Sequence, residues 1–316
     1  MKTDSAVLSR AQGCLLGQCA GDALGQMVEF RSKSEILAIY PDGVRDMKNG
    51  GAFNTLAGQP TDDTEMALML ARSIVEEKEF NVEKVYKAYQ FWHKSVPFDC
   101  GMATHSGLRG YPTESTQANG SLMRISPLGI YGSRFELDTV ADWAMQDSRL
   151  THPNSVCQKA VAVYTTTIAE AIATGLPNDV LYNRAVIRAK QELYCDPAVY
   201  ETLRKAEDSL PDNFSFKGGG WVLIALQNAF YRLLHARDTE QAIIETVNEG
   251  GDTDTNGCIC GALMGAVYGV DSIPERWRDA VLNCRPSENN PDAMQPRPEC
   301  FWAVDVLELA EKLLTV

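Results

Sequence analysis

No run of lysine or arginine stands anywhere in this chain, no CxxC pair occurs, and histidine is used only four times. Each absence removes a class of protein. Phosphate backbones are held by clustered cations, so at a formal net charge of −13 no nucleic-acid partner is expected. Crossing a bilayer takes about 20 consecutive apolar residues, and no uncharged stretch approaches that length, so no membrane partner is expected either. The nine cysteines (Cys14, Cys19, Cys100, Cys157, Cys195, Cys258, Cys260, Cys284, Cys300) are scattered singly and odd in number. That usage fits reduced, mostly buried thiols. The opening residues Met1-Lys2-Thr3-Asp4-Ser5 lack the basic start and apolar stretch of a signal peptide, which sets a cytoplasmic expectation. There is no G-x-S-x-G elbow, no Walker loop and no Rossmann fingerprint. Nucleophile templates therefore fail, and metal-assisted hydrolysis survives the elimination.

What is present is helical. Hydrophobic residues make up 45% of the 316, enough for a sizeable core. Helical patterns run from Ser9 to about Met27, Thr61 to Glu77, Asn81 to Lys94, Val156 to Ala173, Asn178 to Leu193, Trp221 to His235, Thr239 to Asn248, Asp252 to Tyr268 and Glu299 to Leu314. No segment alternates convincingly as a strand. In the first pattern Gly13, Gly17, Gly21 and Gly25 recur at every fourth position. Glycine at that spacing lets another backbone come close, so this segment is read as the centre of a tight helical core. Loops are expected over Gly43 to Pro60, Pro97 to Asn119 and Pro286 to Pro298. With no solenoid repeat and no break in composition, residues 1–316 are read as a single all-α domain.

Two short acidic patches carry the chemistry: Thr61-Asp62-Asp63-Thr64 and Asp252-Thr253-Asp254-Thr255, each opening a helical run. Oxygen-only donors of this kind suit hard divalent cations such as Mg²⁺ or Mn²⁺. The same residues would also serve as plain helix caps. Asp252, Asp254, Asn256 and Gly257 mimic the first half of an EF-hand loop, but Leu263 stands where the closing Glu should be, so that reading is rejected. Asp22, in Gly21-Asp22-Ala23-Leu24-Gly25, is read as a buried carboxylate bonded to helix N–H groups, and Glu29 as better placed to reach a solvent-filled site. Asn119-Gly120-Ser121-Leu122-Met123-Arg124 is expected to start a helix with a turn that exposes N–H groups to an anion. His152, in Thr151-His152-Pro153-Asn154, stands at a helix entrance where it could bond a ligand. His93, His105 and His235 are read as ordinary.

Taken in order, these segments resemble the ADP-ribosylglycohydrolase family. The matching residues are Gly21–Gly25 with Glu29, Thr61–Thr64, Asp99-Cys100-Gly101, Asn119–Ser121 with Met123-Arg124, Thr151–Asn154, and Gly250–Thr255. The resemblance implies a compact orthogonal multi-helix domain with a binuclear metal cleft. Two divalent cations, Mg²⁺ or Mn²⁺, would be held by Thr61, Asp62, Asp63, Asp252, Asp254 and Thr255, with Glu29 near or on one of them. Gly101, Asn119, Gly120, Ser121 and His152 would line an ADP-ribose pocket, and Trp221 is a guess for the aromatic partner of adenine. Glu29 and Asp99 are both candidates for the catalytic carboxylate, and the resemblance does not choose between them. The implied activity removes ADP-ribose from a modified protein side chain, with arginine as the first expectation. Serine-ADP-ribose or O-acetyl-ADP-ribose hydrolysis is the alternative, as is an immunity protein that neutralises an ADP-ribosylating toxin by reversal or by binding it.

Overall fold

In the computed structural model, which describes residues 4–214 and 220–316, every regular element among the described residues is helical. The helices are α1 (Ser5–Gly25), α2 (Lys33–Ile39), α3 (Asp62–Glu77), α4 (Val82–Lys94), α5 (Met102–Leu108), α6 (Ser126–Gly132), α7 (Leu137–Arg149) and α8 (Ser155–Thr174). They continue with α9 (Asn178–Arg188), α10 (Pro197–Lys205), α11 (Val222–His235), α12 (Thr239–Val247), α13 (Thr253–Tyr268), α14 (Glu275–Asn283) and α15 (Val306–Thr315). One apolar cluster runs through them from Ala11 to Leu313. None of these helices is long and apolar enough to cross a membrane.

The axis of the fold is the pair α1 and α13. From Ala11 on, α1 is buried on almost every side, so it has no amphipathic stripe to orient it. Its glycines do that instead. A Cβ on Gly17 or Gly21 would collide with the backbone of Gly261 or Gly257, and one on Gly265 with the carbonyl of Gly13. The two helices therefore meet backbone to backbone, as the glycine spacing in α1 predicts. Tyr164 of α8 donates to the Ile259 carbonyl at 2.8 Å and ties a third long helix to the pair. The described cysteines are all unpaired, and six of the nine are buried, in keeping with their scatter in the sequence.

Three expectations need correction. Residues 119–125 are successive turns rather than the start of a helix. The Asn119 carbonyl closes them by accepting from Leu122 and Met123 N–H, and α6 begins only at Ser126. Pro127 sits in its first turn, where a missing N–H costs nothing. The expected loop Pro97–Asn119 contains α5, which can lie against the chain because a Cβ on Gly107 would come within 2.5 Å of Thr151 Cα. The last expected helix, Glu299–Leu314, is two 3₁₀ turns (Glu299–Phe301 and Ala303–Asp305) followed by α15.

Candidate active site

Thr61 occupies the N-cap position of α3, yet its side chain makes no capping bond. Asp22 of α1 does that work from across the core. Its carboxylate accepts from the N–H groups of Thr61 (3.0 and 3.1 Å) and Thr64 (3.0 Å). This is the bonding expected for Asp22, and it leaves Asp62 and Asp63 free of capping duty. Thr61 Oγ1 lies 3.0 Å from both Asp22 Oδ1 and Asp63 Oδ2, and Thr255 Oγ1 lies 3.5 Å from Asp63 Oδ2. The glycine seam thus brings the starts of α3 and α13 together, although they are far apart in sequence.

Glu29 reaches the same place by a short backbone pairing. Phe30 N–H donates to the Gly251 carbonyl at 2.9 Å and Gly251 N–H to the Arg31 carbonyl at 2.8 Å. Gly250 and Gly251, at φ +83° and +81°, supply the left-handed turn this requires. Asp99 arrives on the segment before α5, where the Gly101 N–H donates to Asp62 Oδ2 at 3.3 Å. Carboxylate oxygens of Glu29, Asp99 and Asp254 all lie within 4.8 Å of one another.

These groups line a cavity of about 460 Å³ that also takes in Asp62, Asp252, Thr255, Gly101, Asn119, Gly120 and His152. Thr61, Asp63 and Ser121 stand behind the wall rather than on it. Among the described lining residues there is no lysine or arginine. The electrostatic result is severe. Burial first, then Asp99 and Asp252, push Glu29 up to about 9. Burial holds Asp99 up at about 6 and Asp22 at about 7. Asp62, Asp63 and Asp254 are pushed well above the usual carboxylate range, by burial and then by the neighbouring carboxylates. Asp63 Oδ1 and Glu29 Oε2 are buried without a hydrogen-bond partner among the described residues. Oxygen acceptors crowded in this way, some of them orphaned, fit a divalent cation.

The opposite wall is neutral and built on a buried network. Arg124, fully buried, donates through Nε to Asp147 Oδ1 (3.0 Å), through Nη2 to the Asp147 carbonyl (3.0 Å) and through Nη1 to Thr151 Oγ1 (2.8 Å). Tyr89 donates to Asp147 Oδ2 at 2.7 Å. Thr151 Oγ1 in turn lies 2.7 Å from His152 Nδ1. Burial and Arg124 push His152 down to about 3, so the ring is neutral. Arg124 already donates to Thr151 Oγ1, so in the tautomer in which the Thr151 hydroxyl donates to Nδ1, His152 carries its own proton on Nε2. That Nε2 is buried and has no hydrogen-bond partner among the described residues. It borders Gly120, where a Cβ would come within 3.0 Å of it. Asn119 faces the acidic wall and donates to Asp252 Oδ2 at 2.7 Å. Ser121 instead bonds Ser148 at 2.9 Å and holds the turn in place.

Several contributors are invisible to sequence reasoning. Asp147, Tyr89 and Thr104 gave no local signal, because each meets the site through tertiary packing alone, whereas Met123, a motif residue, does line the cavity. Trp221 does not line the cavity; its indole donates to Gln117 at 2.8 Å, and Gly218 and Gly219 before it lie outside the described residues. Among the described residues, the phenyl ring on the wall is that of Phe30, which packs edge-on to Phe53. His93 and His105 are not isolated, since His93 Nε2 and His105 Nδ1 lie 2.9 Å apart.

Fold and cavity together define a helical protein with an oxygen-rich acidic centre facing a neutral, donor-bearing wall. The chain belongs to the ADP-ribosylglycohydrolase family, whose profile matches residues 3–315. It is 30% identical to the ADP-ribosyl-[dinitrogen reductase] glycohydrolase of Rhodospirillum rubrum over 287 residues, 87% of this chain and 91% of that one. It is 29% identical to the ADP-ribosylarginine hydrolase Tri1 of Pseudomonas putida (strain GB-1) over 311 residues, 88% of this chain and 76% of that one. A solved ADP-ribosylglycohydrolase-related protein complex superposes with a TM-score of 0.79 at 28% identity, covering 98% of this chain and 99% of its own.

Proposed function

We propose that this protein is a divalent-cation-dependent hydrolase that removes ADP-ribose from arginine side chains of modified proteins. The observation that carries the reading is the cavity itself, in which buried, unneutralised carboxylates face a neutral His152 and an open Gly120 turn. The relatives named for ADP-ribosyl-[dinitrogen reductase] and ADP-ribosylarginine support an ADP-ribosyl substrate, with arginine as the linkage.

Thr61, Asp62, Asp63, Asp252, Asp254 and Thr255 would hold two cations, Mg²⁺ or Mn²⁺, with Glu29 beside them. Bound there, the cations supply positive charge to orient ribose hydroxyls and to acidify a water. His152 Nε2–H and the backbone of the Asn119–Ser121 turn offer donors to the oxygens of the diphosphate or ribose. The buried pair Arg124 and Asp147 fixes that wall without itself touching substrate. Glu29 and Asp99 meet at the same point of the cavity. One carboxylate takes the proton of the attacking water, whose oxygen bonds the anomeric carbon. The bond from that carbon to the side-chain nitrogen breaks, and a proton passes to the leaving guanidine.

The test is ADP-ribose release from an arginine-ADP-ribosylated protein with Mg²⁺, with Mn²⁺ and with EDTA, beside a serine-ADP-ribosylated protein. Release from the arginine substrate that needs a cation and is lost in Asp254→Ala is the expected result. Release only from the serine substrate would replace the linkage, and release indifferent to EDTA would remove the cations from the reading.

A further inference from the structure

A second constellation shares a wall with the acidic cavity but differs from it in every donor. His93 lies in the last turn of α4, Cys100 in the segment between α4 and α5, and His105 on α5. One ligand atom from each, ring nitrogens and Sγ, falls within 4.8 Å of the other two. The imidazoles meet edge to face with centroids 4.8 Å apart and their nitrogens 2.9 Å apart. Among the described residues, neither ring has another hydrogen-bond partner recorded. His105 is exposed and His93 and Cys100 are half-buried, so the group can be reached from solvent.

Two nitrogens and one sulfur are the donor set of a borderline-soft cation, not of the hard ions suited to the neighbouring carboxylates. Ligand bonds of about 2.0–2.1 Å to nitrogen and 2.3 Å to sulfur place tetrahedral donors roughly 3.4–3.6 Å apart. The histidine pair must open by about half an ångström to meet that, and Sγ, already within 4.8 Å of both nitrogens, must close by no more than about 1.2 Å. His105 is exposed and Cys100 lies on the irregular segment before α5, so both adjustments fall on side chains outside the packed core.

We propose that His93, Cys100 and His105 form a zinc site whose fourth position is open to water. On binding, the Cys100 thiol becomes a thiolate and its proton leaves to solvent, while both imidazoles bind as neutral rings. The site has a consequence for the cavity, which rests on the hydrolase reading above. Cys100 lies between Asp99, which lines the cavity, and Gly101, whose N–H donates to Asp62. A cation pinning Cys100 to α4 and α5 therefore fixes the segment that carries both, and zinc slows hydrolysis.

The two parts are tested separately. With the carboxylate centre saturated by Mg²⁺, Co²⁺ is titrated into the reduced full-length protein as a spectroscopic stand-in for zinc. The expected result is a thiolate-to-cobalt charge-transfer band with the strong visible bands of a four-coordinate site, saturating at one equivalent. Cys100→Ser should abolish the charge-transfer band, and His93→Gln and His105→Gln should each weaken binding at least tenfold. No such band in the wild type, or a band unchanged in both histidine variants, overturns the site. In the second arm, zinc is added to Mg²⁺-supported release of ADP-ribose. Inhibition of the wild type that is lost in His105→Gln, whose activity without zinc is unchanged, supports the coupling, and equal inhibition of both overturns it. A failed hydrolase assay leaves the cobalt result standing, so the site and the enzymatic reading fail independently.

Discussion

At the scale of single residues, the neutral wall depends on His152 staying unprotonated. In an unfolded chain its pKa returns to about 6.5, while burial and Arg124 hold the folded ring down to about 3. Between those values the unfolded state binds a proton that the native state refuses. His152 therefore contributes stability that is complete above the unfolded value and is lost as pH falls below it. The difference in melting temperature between wild type and His152→Gln should shrink from pH 7.5 to pH 5, and a constant difference would contradict the neutral ring. Gly120 makes a separate point. An alanine there would set its Cβ 2.8 Å from both His152 Cε1 and Thr104 Oγ1, displacing the ring from the ligand it should meet. Gly120→Ala should keep the melting temperature within a few degrees while lowering kcat/KM by roughly a hundredfold, the cost of a misplacement near 1 Å. Arg124 was visible in the sequence as a motif residue, but its partner Asp147 was not. A buried ion pair is made by two elements meeting, and neither element announces it alone.

Between elements, the seam of α1 and α13 leaves no room for a side chain. Gly261→Ala would drive a methyl into the Gly17 carbonyl. Overpacking of this kind costs about 1–3 kcal/mol where the neighbours can give, and backbone on both sides gives less than side chains do. A loss of about 3 kcal/mol or more in denaturant unfolding is expected, and an unchanged midpoint would mean that the helices can slide apart. The fourfold glycine spacing made α1 readable in advance, and long apolar periodicity did the same for α3, α4, α8, α11, α12 and α13. The helices α2, α5, α7, α10 and α14 were missed, and the one expected to start at Asn119 begins only at Ser126. Most of these are short, and even α7, with its clear amphipathic face, lies among polar turns that mask the period. The acidic centre was legible because hard-ion donors cluster in sequence. Its capping by Asp22 matched expectation, whereas the zinc-type group was overlooked because its three donors sit on different elements.

For the whole molecule, the carboxylate centre makes stability a function of pH and, on the proposed metal-binding reading, of cation as well. Glu29, Asp22 and Asp99 are raised to about 9, 7 and 6 by burial. A raised carboxylate contributes stability at low pH that is lost as pH climbs from its unfolded value through its folded one. The metal-free protein should therefore weaken between about pH 5 and pH 9. A divalent cation takes the place of the bound protons, so the rise in melting temperature produced by Mg²⁺ or Mn²⁺ should grow across the same range. Differential scanning calorimetry with and without EDTA at pH 6, 7 and 8 checks this, and a pH-independent increment would refute it.

The glycine seam also sets an order of events at birth. Asp62 and Asp63 leave the ribosome long before Asp252 and Asp254, and the backbone slot that aligns them does not exist until α13 can lie along α1. Until then, α1 is a mostly apolar helix with its long partner missing, and half an acidic nest waits in water where its carboxylates ionise normally. The cost of gathering those charges is met only when these distant segments come together, a long-range contact that is slow to form. On the proposed function, a divalent cation would then act as a folding ligand, and a chain shortened before residue 252 would lack half of the acidic nest.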